Sequence, residues 1–217
     1  MRTIVFAVLG LLLVVGAVVY YRLDVGGGYF GKFSGSPIVE FMPNEHDIKL
    51  KAPLSFVDFE NRTWDVPEGY VSNGASVPRA FWSLIGGPLD GPYRDASIIH
   101  DYYCEKFTEP WPDEYKRQWR NVHRAFYYGM RARGVPEIKA KTMYGAVYHF
   151  GPRWESEGTR VRGVAAMPTA GGDINSDEML IDYVEKNNPS LDQIEGYLKD
   201  NRDVILQPRA WQQMRTE

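Results

Sequence analysis

Residues 91–103 read Gly-Pro-Tyr-Arg-Asp-Ala-Ser-Ile-Ile-His-Asp-Tyr-Tyr. Ile98, Ile99, Tyr102 and Tyr103 recur at the spacing of one helical face, so residues 95–107 are expected to form an α-helix. A polar stretch holding Pro110 and Pro112 interrupts it. Residues 115–133 are expected to form a second helix, closed by Gly134 as its C-cap with Val135-Pro136 behind. A third spans 138–150 and stops at Gly151-Pro152. This run of helices fixes the second half of the fold.

The first half has a different period. Between Ile38 and Val71, the runs PIVEF, DIKL, LSFVDF and TWDV alternate or are rich in β-branched residues. Pro43-Asn44, Ala52-Pro53, Asn61-Arg62 and Pro67-Glu68-Gly69 break them. The expected fold is α+β: a small antiparallel β-sheet followed by a three-helix core. Two short amphipathic helices are expected after a soft segment at 155–174. Asn175-Ser176-Asp177-Glu178 opens the first, and Ser190-Leu191-Asp192-Gln193 opens the second as a capping box.

The N-terminus adds another expectation. Residues 4–19 contain no charged or strongly polar side chain, and Tyr20, Tyr21 and Arg22 follow. A bilayer-spanning helix needs about 20 mainly apolar residues, with aromatic residues favoured at the interface. Residues 4–21 are therefore expected to form an N-terminal transmembrane helix, the membrane contact of a signal anchor at 1–23. The rival reading is a cleaved signal peptide. Either would export the remainder, which places the domain on the extracytoplasmic side of a single-pass membrane protein. Arg2 and Arg22 oppose each other in orienting the segment. A glycine-rich tether at 24–36, a core domain at 37–154 and a helical extension at 175–217 complete the layout. The extension offers a surface to an envelope or phage protein partner.

Composition narrows the function. The chain has 217 residues and a net charge of −3, which disfavours an electrostatically driven nucleic-acid binder. Its single cysteine, Cys104, excludes an intrachain disulfide and a zinc site built from several cysteines. The tryptophans are spread along the chain and fit core and interface positions better than a base-stacking platform. His46 and His149 stand alone and read as structural.

The chemistry-bearing residues lie between Val71 and Met130. His100 shares a helical face with Ala96 and Cys104, and Asp101 with Ser97 and Glu105. His123 lies in the next helix on the stripe of Trp119, Phe126 and Tyr127. Two antiparallel helices with a short connection would bring His100 and His123 face to face. A histidine so placed can act as a general base; alone, it is more often a half-buried residue bonded to a carbonyl. His100 and Cys104 at i, i+4, with His123 as a third ligand, also suit zinc. Asn73, Gly74, Ser76 and Arg79 belong to a turn-rich loop, SNGASVPR, whose small residues allow close approach of a ligand or of the next helix.

The motifs SNGASVPR, GPYRDASIIHDYY and HRAFYYGMRARGV occur in that order with Trp82 between the first two. Together they resemble the domain of unknown function 1353 family, over residues 54–154. The family's pattern is a TD-x-ASVPR loop, an A-x-x-HDYLY helix and an AD-x-x-F-x-x-x-M helix followed by G-V. The resemblance implies a fold and an association with phages and prophages, but no activity. Asn73 stands where the family commonly has the loop aspartate, and His123 where it has the aspartate of the AD pair.

The HD helix is also similar to the helical core of bacterial phospholipase A2. That likeness implies His100 as the base activating water, Asp101 as a calcium ligand and His123 in the orienting place. The glycine-rich residues 85–91 would stand for the calcium loop. A second imidazole stabilises imidazolium poorly, which weakens this reading. Two classes of function follow. One is a membrane-anchored hydrolase using His100, Asp101 and His123 on a lipid or another envelope ester or amide, its cofactor open with calcium a candidate. The other is a non-catalytic binding, assembly or superinfection-exclusion module in which the HD and GAS motifs are structural.

Overall fold

The computed structural model describes residues 29–44, 47–73, 91–154 and 174–201. Among the described residues six strands come first: β1 (Gly31–Phe33), β2 (Val39–Phe41), β3 (Ile48–Leu50), β4 (Leu54–Asp58), β5 (Thr63–Val66) and β6 (Val71–Ser72). Five α-helices follow among the described residues: α1 (Arg94–Glu105), α2 (Trp119–Ala132), α3 (Glu137–Phe150), α4 (Ile174–Asn187) and α5 (Leu191–Asp200). A 3-10 turn, Glu114–Arg117, precedes α2.

The α+β class holds, but the sheet is not single. Two antiparallel three-stranded sheets form, ordered β1-β4-β5 and β2-β3-β6. β4 buries Leu54, Phe56 and Asp58 and leaves Ser55 and Val57 half-buried, the period-two alternation of a strand with one covered face. The hairpin to β5 turns at Asn61, whose φ of 60° suits asparagine. Asp58 Oδ1 accepts from the backbone N–H groups of Glu60 and Arg62, each at 2.9 Å, which fixes that turn.

β1 arises within the stretch expected to be a tether. Its cause is Phe33, which faces Phe56 across the ladder and stacks on it with ring centroids 4.4 Å apart. Gly31 permits the approach: its φ is 130°, and a Cβ there would fall 2.4 Å from the Val57 carbonyl oxygen.

The free edge of β5 is covered by side chains rather than by another strand. Asp65 N–H donates to the Tyr103 hydroxyl, which donates in turn to the Asp65 carbonyl. Tyr115 does the same at Thr63. Tyr103 on α1 and Tyr115 on the 3-10 turn therefore lock the helices to the sheet, and Trp64 packs edge-on to both rings. Tyr115 also explains why the expected second helix is split. Gln118 is extended (φ −98°, ψ 110°), so the chain can turn from the strand edge before α2 begins.

α1 and α2 cross where their side chains are smallest. A Cβ added at Gly129 would lie 2.9 Å from the Ala96 Cβ and 3.3 Å from the Phe33 ring. α3 matches its expected span and α5 begins with the expected capping box, Ser190 Oγ accepting from Gln193 N–H and Gln193 from Ser190 N–H. The last two helices dock on the domain itself. Leu180, Val184, Ile194 and Leu198 join Phe126, Met143 and Tyr144 in its core. Glu195, buried, pairs with Arg124 at 2.9 Å and with Arg120, and accepts from the Tyr144 hydroxyl.

One expectation is corrected. Among the described residues no helix is long and apolar enough to cross a membrane, so the described fold carries no transmembrane helix. Residues 1–23, to which it was assigned, lie outside the described residues, as do 24–28 of the expected tether and 155–173 of the expected linker.

Replacing Gly129 by Val should destabilise the domain by about 2 kcal/mol, because overpacking a close helix crossing outweighs any gain in helix propensity. A thermal melt of Gly129→Val with an unchanged midpoint would contradict the crossing.

Candidate functional site: a buried histidine–cysteine cluster

α1 presents His100 and, one turn later, Cys104; α2 presents His123 toward them. His100 Nε2 and His123 Nδ1 share a hydrogen bond of 2.8 Å, so the juxtaposition expected from helical spacing is present. Cys104 Sγ lies 3.6 Å from Nε2 and 3.9 Å from Nδ1 of His100. A ligand atom from each of the three residues falls within 4.8 Å of the others. His100 and His123 are 0% exposed and Cys104 3%.

The surroundings are apolar. The Phe126 ring lies against His100 with centroids 5.0 Å apart, and Trp119 meets His123 edge-on at 5.4 Å. The end of α3 closes the far side: a Cβ at Gly151 would fall 3.3 Å from His123 Cε1 and 2.2 Å from the Val147 carbonyl.

Electrostatics follow from this burial. Loss of hydration pushes the His100 pKa down to about 3. Burial, then the nearby His100 and Arg153 charges, hold His123 well below its ordinary value, against a smaller opposing effect of the Pro152 carbonyl. Both imidazoles are therefore neutral at pH 7, with lone pairs available.

Asp101 points elsewhere. It is 1% exposed, and its Oδ2 accepts a 2.6 Å hydrogen bond from Ser72 Oγ on β6. The bond ties α1 to the strand that leads into Asn73. Gly74, Ser76 and Arg79 of the expected ligand loop, and 85–90 of the expected calcium loop, lie outside the described residues. Among the described residues, the convergent donor set is two nitrogens and one sulfur. Calcium requires six to eight oxygens, so this set does not suit it.

A second feature went unread in the sequence. A cleft of about 710 Å³ opens between the β5–β6 turn and the segment after α1. Tyr70, Tyr102 and Trp111 wall it, and Glu105, Lys106 and Glu109 stand on its rim. Tyr102 meets Tyr70 edge-on at 5.0 Å and Trp111 at 5.9 Å. The only sequence signal was the interruption at Pro110 and Pro112, which line the same cleft.

The neutral histidines make stability depend on pH. An unfolded histidine takes up a proton below about pH 6.5, whereas buried His100 resists until about pH 3. The contribution is complete above pH 6.5 and is lost as the pH falls through that window. Each histidine should contribute a slope of up to about 1.4 kcal/mol per pH unit. Denaturant titrations of the full chain with a chelator present, between pH 7 and 4, measure it. Stability that stays flat or rises on acidification contradicts the buried neutral pair.

Residues 48–147 match the family described as Protein of unknown function (DUF1353). The chain is 43% identical over 146 residues to Uncharacterized protein y4jT of Sinorhizobium fredii, covering 66% of this chain and 41% of that protein. It is 37% identical over 123 residues to Uncharacterized protein y4iH of the same organism, covering 56% of this chain and 48% of that one. Each alignment thus takes in less than half the length of the curated relative it matches. No solved structure matches the chain. Neither a phage origin nor a phospholipase A2 likeness appears in these matches. His100, Asp101, Cys104 and His123 all fall within residues 48–147, the segment that matches the DUF1353 family, which is described as of unknown function.

Proposed function

We propose that this domain is a binding module whose HD motif is structural and whose recognition surface is the Tyr70–Tyr102–Trp111 cleft. One contrast supports this reading. The groups suited to catalysis are sealed, His100 and His123 at 0% and Asp101 at 1% exposure, while the aromatic cleft is open. A general base must come within hydrogen-bond reach of the proton it takes, and His100 spends its Nε2 on His123. His123 also stands where a hydrolase of this layout needs a carboxylate.

The cleft's chemistry favours an extended, proline-containing peptide with a basic side chain. Aromatic-lined grooves hold polyproline II segments, which bind with little loss of conformational entropy. Trp111 is already oriented, its Nε1 donating to the Lys106 carbonyl at 3.1 Å. Burial and the nearby Asp101 and Glu105 charges raise the Tyr70 hydroxyl above its ordinary pKa, and burial and Glu109 raise Tyr102. Glu105 and Glu109 outnumber Lys106 on the rim, and that excess of negative charge suits a lysine or arginine beside the prolines.

The test is calorimetry of the full chain with a proline-decamer peptide ended by arginines. Saturable binding is expected, weakened at least tenfold in Trp111→Ala, since a central aromatic truncation typically costs more than about 1.4 kcal/mol. Binding that Trp111→Ala leaves unchanged, or none in the wild type, overturns the reading. Ester turnover by the wild type that is lost in a folded His100→Gln variant restores the hydrolase.

A further inference from the structure

We infer that His100, Cys104 and His123 bind one zinc-class ion through Nε2, Sγ and Nδ1, pinning α1 to α2. The inference is independent of the peptide cleft, which lies on other residues.

The donor types come first. Two imidazole nitrogens and a thiolate are borderline-to-soft ligands, which select zinc, cobalt or copper over calcium or magnesium. Spacing comes second. Tetrahedral zinc, with bonds of about 2.0–2.1 Å to nitrogen and about 2.3 Å to sulfur, sets ligand atoms about 3.5 Å apart for N···S and about 3.3 Å for N···N. Cys104 Sγ and His100 Nε2 are already 3.6 Å apart. His100 Nε2 and His123 Nδ1, at 2.8 Å, need to separate by only about half an ångström, a small ring movement.

Placement is the third argument. His100 and Cys104 come from consecutive turns of one helix and His123 from the helix packed on it, so one ion would crosslink elements that the sequence separates by 23 positions. The cluster is enclosed by Phe126, Trp119 and the end of α3, an apolar shell that limits exchange of the metal. With Nδ1 of His123 on the metal, its Nε2 carries the proton; that buried nitrogen has no hydrogen-bond partner among the described residues, and the Pro152 backbone lies near the ring. Binding requires the Cys104 thiol to release one proton to solvent. Three protein ligands among the described residues leave a fourth tetrahedral position for a water or another donor.

The experiment uses the full chain, stripped with chelator and reloaded with zinc or cobalt(II). One zinc per chain by elemental analysis is expected, with a rise in Tm on loading. Cobalt should give a tetrahedral visible spectrum with a thiolate-to-cobalt charge-transfer band. Cys104→Ala, a small apolar change at a buried site, should fold, lose that band and bind zinc at least 100-fold more weakly. His123→Gln should lose stoichiometric zinc while circular dichroism shows a folded chain. Wild type that takes up no stoichiometric zinc and gains no Tm overturns the site. So does cobalt-loaded wild type that shows no thiolate-to-cobalt band, which would place the Cys104 sulfur outside the metal's coordination shell.

Discussion

Ala96 and Gly129 meet where a larger pair would force α1 and α2 apart. Close contact of these helices is the constraint on which the rest depends. It lets His100 and His123 reach 2.8 Å, and it lowers Phe126 onto the same cluster. It also presses Phe33 of β1 against α2, so the first sheet is held from the helical side as well. His100 and His123 are tolerated at this depth because both are neutral and they share a hydrogen bond, although His123 Nε2 has no partner among the described residues.

The sheet side of the domain is fixed by a different device. Tyr103 and Tyr115 satisfy the exposed backbone groups of β5, a task usually left to a neighbouring strand or to water. Their rings bracket Trp64, which has no exposed surface. Asp101 makes a third attachment, to Ser72 on the second sheet. α1 therefore touches both sheets and α2, and the HD pair sits at this junction. His100 looks toward the helix and Asp101 toward the strand, as adjacent helical residues about 100° apart must. The two letters of the motif have separate partners.

The same junction generates the cleft. Tyr102, between Asp101 and Tyr103, points outward, and the chain after α1 folds back so that Trp111 stands beside it. Buried attachments on two faces of α1 leave its remaining face to form one wall of a groove. Rigid walls of this kind lose little entropy when a ligand arrives. A metal in the histidine–cysteine cluster would stiffen the helix that carries Tyr102, linking the buried site to the cleft through a single element.

Much of this architecture was legible in the sequence. Apolar residues at period 3.6 marked α1, Gly151-Pro152 marked the end of α3, Ser190 and Gln193 marked the start of α5, and alternation marked β4, because local backbone preference and side-chain spacing are encoded residue by residue. The facing of His100 and His123 followed from spacing alone. What the sequence could not decide were the relations between distant segments. Lys32 and Phe33 read as tether because a strand's identity depends on its partner, and theirs lies more than twenty positions away in β4. The division into two sheets, the split at Gln118 and the Tyr70–Tyr102–Trp111 cleft have the same origin. Each is set by which surfaces meet after folding. Residue types and their periods are local properties of the chain; burial, ladder pairing and the convergence of side chains exist only once it has closed on itself.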